Sequence, residues 1–291
     1  MMRRYELTDE QWEKIAPLLP ASEGQRGGQW KDHRTVLNGM FWVPCSGAPW
    51  RDLPERYGNW KTVYDRFRRY RIEGAFDQIL DRLQLELNAE GLIDLCLWQV
   101  DSTTVRAHRS AAGALKKGGQ VTEGEPENHA LGRSRGGFTT KIHLVSDSNS
   151  LPLAAVLSSG AAHDAAFFHP APEQVRIPVK RGRKRTRPEE VVADKAYDAG
   201  CLRKGLARRG IKGMIPERQL RPGTQRRKKG PHYRFDEGTC KKRASVEQAI
   251  GWLKEYRRIA TRYEKLAVSF MAMLKLAFIR FYLKKHSSDT A

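Results

Sequence analysis

Cysteine is scarce in this chain. Four residues, Cys45, Cys96, Cys201 and Cys240, are scattered over 291 positions with no C-x-x-C pair. That spacing excludes a zinc ribbon, and a chain of this size does not depend on a disulfide framework. Long apolar runs are missing too. The stretch Met1 to Glu6 has no apolar segment of the kind that directs secretion. The most hydrophobic region, Leu266 to Leu283, is interrupted by Lys275 and Arg280 and lies at the short limit for a membrane span, so it reads as a core helix. Acidic charge is the third deficit: 33 Asp and Glu stand against 53 Lys and Arg, a formal net charge of +20. Such an excess speaks of partners rather than fold, and nucleic acid is the commonest partner. Hydrophobic residues, at 40%, suffice for one large domain or two modest ones.

The first ninety residues read as helices. Thr8 precedes the acids Asp9 and Glu10 in the manner of an N-cap, and Trp12, Ile15, Ala16 and Leu19 recur at helical spacing. Further helices are expected from Asp32 to about Val43, from Asn59, and from Ala75 to Ala89. Pro44 is expected to end the second of them early. The third carries Lys61, Arg66, Arg68, Arg69 and Arg71 on its outer face, which suits a helix-turn-helix reader of DNA; the plainer reading is a solvated basic face. Residues 1–90 are therefore expected to form a small all-α DNA-binding domain, and 91–291 a catalytic one.

From residue 92 strands take over. The run Leu92 to Val100 is a buried strand ending at Asp101. His108 to Gly137 is a loop, and Phe138 to Ser146 pairs with Leu151 to Ser158 as a hairpin. A helix from Asp164 to Gln174, a basic loop from Pro178, a strand Val191 to Ala193, a helix Ala199 to Arg209 and a short strand at 210–216 follow. The last two helices span about Lys241 to Arg258 and Leu266 to Lys284. Three antiparallel strands followed by parallel crossovers is the order of an RNase H-like core: an α/β fold with a mixed sheet flanked by helices. Right-handed crossovers would set the fourth strand beside the first and bring Asp101 to Asp194.

Asp101 and Asp194 each end an apolar run, and Glu247 lies in a helix. Three such carboxylates can hold two Mg²⁺ ions, because Mg²⁺ takes a few carboxylates and leaves room for water and substrate oxygens. Asp198, close after Asp194, is expected to cap the next helix. His143 and His163 could lie near the site, with packing or capping as the plainer role.

These segments resemble the DDE transposases of bacterial insertion sequences, of the insertion sequence five type. Leu7-Thr8-Asp9-Glu10-Gln11-Trp12 and Gly47-Ala48-Pro49-Trp50-Arg51-Asp52-Leu53-Pro54 look like that family's N-terminal part. Asp194-Lys195-Ala196-Tyr197-Asp198 and Arg257-Arg258-Ile259-Ala260-Thr261-Arg262-Tyr263 look like its catalytic part. The resemblance implies cleavage at element ends and joining of the 3′-OH to target DNA, with two Mg²⁺ ions, or Mn²⁺ as a substitute, on Asp101, Asp194 and Glu247. It further implies a homodimer in the DNA complex, terminal inverted repeats and target duplex as partners, and a cytoplasmic, nucleoid-associated location. Around the glutamate the family pattern is Tyr, two residues, Arg, three residues, Glu, six residues, Lys. Arg243, Glu247 and Lys254 match it and share one helix face, and by resemblance Arg243 and Lys254 contact end phosphates; the tyrosine position holds Cys240. Two basic loops, with Lys180, Arg181, Arg183, Lys184 and Arg185 in one and Arg226, Arg227, Lys228 and Lys229 in the other, are expected to grip DNA backbone. The rival readings are a DNA-binding protein without catalysis and an RNase H-like nuclease without strand transfer.

Overall fold

A computed structural model describes residues 4–20, 32–112, 123–134, 136–217 and 244–286. The N-terminal region is helical. Helix α1 (Asp9–Ile15) opens on a capping box in which Thr8 and Gln11 satisfy each other's backbone N–H groups. Helix α2 (His33–Ser46) is capped by Asp32 and runs through Pro44, past the expected stop. Proline is tolerated there because only one more turn follows before Gly47, whose left-handed backbone (φ 76°) closes the helix. Helices α3 (Trp60–Ile72) and α4 (Ala75–Ala89) follow. Arg66 departs from the expected outer face of α3: it is buried, with its guanidinium over the Tyr70 ring.

The second region is a mixed sheet. Strand β1 (Leu97–Ala107) pairs antiparallel with β3 (Gly137–Asp147), and β3 pairs antiparallel with β4 (Pro152–Ser159). On its other side β1 runs parallel to β5 (Glu190–Ala193), which runs parallel to β6 (Lys212–Met214). This is the RNase H-like order. Two short strands fill the edges: β2 (Gly132–Ser134) on β3, inside what reads from sequence as a featureless loop, and β7 (Thr261–Arg262) beside the far end of β1. In the same loop a single helical turn, α5, occupies Arg109–Ala112.

The expected helix at 164–174 is two turns, α6 (Asp164–Phe167) and α7 (Pro170–Glu173). Pro170 has no N–H to continue the first turn and instead starts the second. Helix α8 (Gly200–Arg208) connects β5 to β6. Helix α9 (Ala244–Glu255) breaks at Tyr256 and resumes as the short α10 (Arg257–Ala260).

Helix α11 (Ala267–His286) is buried along most of its length and joins the two regions. It packs on α2, α3, α4 and β4. Gln84 of α4 donates to the Tyr282 hydroxyl at 3.0 Å, and that hydroxyl donates onward to the Pro152 carbonyl. One hydrophobic core thus extends from Phe67 and Leu83 through Phe270 and Tyr282 to Leu144 and Trp98.

Two of the sequence strings that carry the resemblance meet at this junction. The Arg257 side chain lies where a Cβ on Gly47 would come within 2.8 Å of it. Arg258 donates to the Ala48 carbonyl (2.8 Å) and pairs with Glu264 (2.6 Å) in a buried setting. Arg262 is fully buried. It donates to the carbonyls of Glu264 and Lys265 and to the Thr140 hydroxyl, and burial pulls its pKa down to about 10.

Candidate active site

The register of β1 against β5 runs from Leu97 opposite Glu190 to Val100 opposite Ala193. Asp101 is the next residue on β1 and Asp194 the first residue past β5, so the sheet brings them near each other. Asp101 does not end its strand, as the apolar run implies. Strand β1 continues to Ala107 because β3 accompanies it to the pair Arg106 and Thr139; what ends at Asp101 is the partnership with β5. Burial changes at the same point. Leu97 to Val100 are buried on both faces, whereas Asp101 is half-exposed. One Asp101 oxygen accepts the Ser102 N–H at 2.7 Å. Asp194 is also half-exposed and caps the 3₁₀ turn at 195–197, accepting the Lys195 N–H at 2.5 Å. Asp198 does not cap α8. It pairs with Arg203 (3.1 Å) out of solvent, and Arg203 reaches on to the Ile215 carbonyl.

Alternation along a strand puts Gln99 and Asp101 on the same face of β1, with Val192 and Asp194 on the same face of β5. Helix α9 packs on that face: the Val246 N–H donates to the Gln99 side-chain oxygen at 3.0 Å. The next residue, Glu247, stands exposed in the first turn of α9, with exposed Lys254 two turns along the same helix. The structure therefore brings Asp101 and Asp194 near each other and places α9, the helix that carries Glu247, on the same face of β1. Arg243, Cys240 and the Arg226 to Lys229 loop lie outside the described residues. Among the described residues, no three His, Cys, Asp or Glu side chains are grouped closely enough to hold a metal ion. The adjacent Asp101 and Asp194 carboxylates are hard oxygen donors of the kind Mg²⁺ takes, so this pair fits such an ion.

The opposite face carries a polar network not apparent from sequence. Ser102, next to Asp101, donates to Asp164 at 2.6 Å, and Lys141 pairs with the same carboxylate at 3.0 Å. Burial raises the Asp164 pKa, but the bonds from Ser102 and Lys141 outweigh it and hold the group below its ordinary value. His143, opposite Ser102 in the register, is buried, bonded to Ser158 (2.8 Å) and stacked on Phe167; burial pushes its pKa down to about 4. His163 makes no capping bond. Tyr197 sits under this cluster with its hydroxyl buried. Burial, then the charges of Asp164, Asp101 and Asp194, push its pKa up. The only local clue to Asp164 is its place in the His163-Asp164 step, because its partners come from two other strands.

The basic loop of Lys180, Arg181, Arg183, Lys184 and Arg185 lies at the opposite end of β5. An antiparallel bridge between Ile177 and Arg185 pins it. Lys180, Arg181 and Arg183 are exposed, and Lys184 pairs with Asp81 of α4.

Comparison with known proteins agrees with this architecture. Residues 7–80 match a family described as "Putative transposase of IS4/5 family", and residues 96–282 match "Transposase DDE domain". Among curated proteins, "Uncharacterized protein y4sN" of Sinorhizobium fredii is 39% identical over 116 residues, 40% of this chain and 88% of that protein. A Burkholderia cepacia protein named "Putative transposase for insertion sequence element IS402" is 34% identical over 139 residues, 47% of this chain and 59% of that protein. No helix among the described residues is long and apolar enough to cross a membrane. The second family match covers the whole sheet together with α9, α10 and most of α11, and on that breadth the chain belongs to the transposases of the DDE-domain family.

Proposed function

We propose that this transposase cuts DNA at the ends of its element and joins the freed 3′-OH to target DNA, with Asp101, Asp194 and Glu247 as the catalytic carboxylates. The observation that carries this reading is the parallel register that sets Asp101 beside Asp194. In this reading the three carboxylates hold two Mg²⁺ ions. Bound there, the ions would activate a water or 3′-hydroxyl and stabilise the leaving oxygen. The chain's own part is to keep the aspartates aimed: the Ser102 and Lys195 N–H groups each fix one carboxylate oxygen, strand β1 carries Asp101, and Asp194 directly follows β5. Arg243 and Lys254 would hold end phosphates next to Glu247. Residues 1–90 would read the terminal repeat and 91–291 perform the chemistry, with two copies bridging two ends.

The test uses duplex DNA carrying the element's end, with Mg²⁺. Asp101→Asn, Asp194→Asn and Glu247→Gln should each abolish cutting and joining while binding persists. Cutting retained in all three variants overturns the reading. The departure at Cys240 favours a second reading, DNA binding without catalysis. Binding by the unaltered chain with no nick in Mg²⁺ or Mn²⁺ would establish it.

A further inference from the structure

Beside the N-terminal end of β5 the surface forms a shallow, open cavity of about 450 Å³ lined by Arg183, Lys184, Arg185, Thr186, Arg187 and Arg209. Five of these six residues are cations. Among the described residues, two carboxylates reach them: Asp81 pairs with Lys184 at 2.5 Å, and Glu173 pairs with Arg209 at 3.3 Å. No ring in this lining could stack a base, so the cavity has the chemistry to read charge and not sequence. Arginine dominates it, and the guanidinium fork matches the oxygens of a phosphate.

The walls are built rather than loose. Arg185 exchanges backbone hydrogen bonds with Ile177 (2.9 and 2.7 Å), and Arg187 donates to the Arg209 carbonyl at 2.9 Å, which ties the loop to the end of α8. Asn88 of α4 donates to the Pro178 carbonyl at 3.0 Å, and the Lys184–Asp81 pair adds a second tether to the same helix. The Arg185 Nε is buried without a hydrogen-bond partner among the described residues, a donor whose desolvation they do not offset. The cavity is thus walled by a basic loop that is tethered to α8 and to α4.

Its distance from the carboxylates gives it a separate place on the duplex. Arg187 and Asp194 are seven residues apart with β5 between them, a span of at most about 23 Å at strand rise. At about 3.4 Å per base pair that is at most roughly seven steps of B-form DNA.

We propose that this cavity seats a backbone phosphate of the bound duplex, within about seven base pairs of the phosphate positioned at Asp101 and Asp194. The proposal rests on the function argued above, but it concerns grip and not cutting. Arg187 and Arg209 thereby join the DNA-contacting residues, and the seat tolerates any sequence.

The test is the salt dependence of affinity for a mixed-sequence duplex, without metal. The triple variant Arg183→Gln, Arg187→Gln, Arg209→Gln should bind at least tenfold more weakly at low salt. Its slope of log affinity against log salt should flatten by about 0.9 for each phosphate that is no longer neutralised. The charge-keeping triple Arg→Lys variant should recover most of the slope, and thermal melting of both variants identifies any loss through misfolding. Unchanged slope and affinity in a folded Gln variant overturn the proposal. A chain that binds DNA but never cuts it, with the slope still flattened in the variant, overturns the catalytic reading and leaves the seat standing.

Discussion

The two ends of strand β5 carry opposite charge. At its C-terminal end Asp194 stands beside Asp101, with Asp164 close behind the sheet; at its N-terminal end Arg183, Arg185, Arg187 and Arg209 surround a cavity. The strand between them has only four residues. The contrast teaches that a basic chain does not spread its charge evenly. It keeps carboxylates where a strand partnership ends and side chains gain access to solvent, and it gathers arginines where loops leave the sheet. On the function proposed above, a polyanion held at one end would be acted on at the other.

The largest effect should break the symmetry of that contrast. Asp101→Asn or Asp194→Asn should reduce DNA cutting to the level of a protein-free control and leave affinity within about twofold, a change of about 0.4 kcal/mol. Gel assays on one labelled duplex measure both. A joint loss of binding and cutting would erase the division of labour.

Next comes a third set of charges, buried between the regions. Removing one member of a buried ion pair costs about 3–5 kcal/mol, so Arg258→Gln, which strands Glu264, should lower the melting temperature markedly. Its residual folded fraction should bind DNA with an unaltered salt slope. A flattened slope would move Arg258 from architecture to DNA contact.

The face behind the carboxylates predicts a pH effect of roughly 3 kcal/mol. His143 is held near pKa 4 in the fold and titrates at 6.5 when unfolded, so the unfolded chain takes up the proton first. The stability it contributes is present above pH 6.5 and is lost as pH falls from 6.5 towards 4. Chemical denaturation across that window should show the decline, and His143→Gln should flatten it. An unchanged acid limb in that variant would mean that His143 is not the group titrating.

The smallest effect concerns the tether of the basic end. Lys184→Ala removes a half-exposed pair with Asp81, worth under about 1 kcal/mol of stability. Proteolysis at Arg181 or Arg183 should quicken if the tether holds the loop. Unchanged cleavage rates would assign that role to the Ile177–Arg185 bridge alone.

Much of this was legible in the chain. The bounds of α4 follow from Phe76, Ile79, Leu80, Leu83 and Leu87 at helical spacing, and Gly74 marks its start. The neighbourhood of β1 and β5 follows from the handedness of crossovers, and with it the meeting of Asp101 and Asp194. What escaped was long-range. Arg66, Arg258 and Arg262 look like surface charge until packing buries them. Asp164 has no local signature, because Ser102 and Lys141 reach it from other strands. Asp198 looks like a helix cap, yet Arg203 and the Ile215 carbonyl give the pair a partner that only the folded sheet supplies. The continuation of β1 past Asp101 depends on the length of β3, which no spacing within β1 encodes.

Helix α11 has a consequence for how the molecule comes into being. Gln84 and Tyr282 are 198 residues apart, yet they share one hydrogen bond in the core that supports α4. During synthesis the early helices leave the ribosome with an apolar flank uncovered until α11 follows to close it. A half-made chain would therefore hold its N-terminal helices without their full core, and the two regions would become stable together.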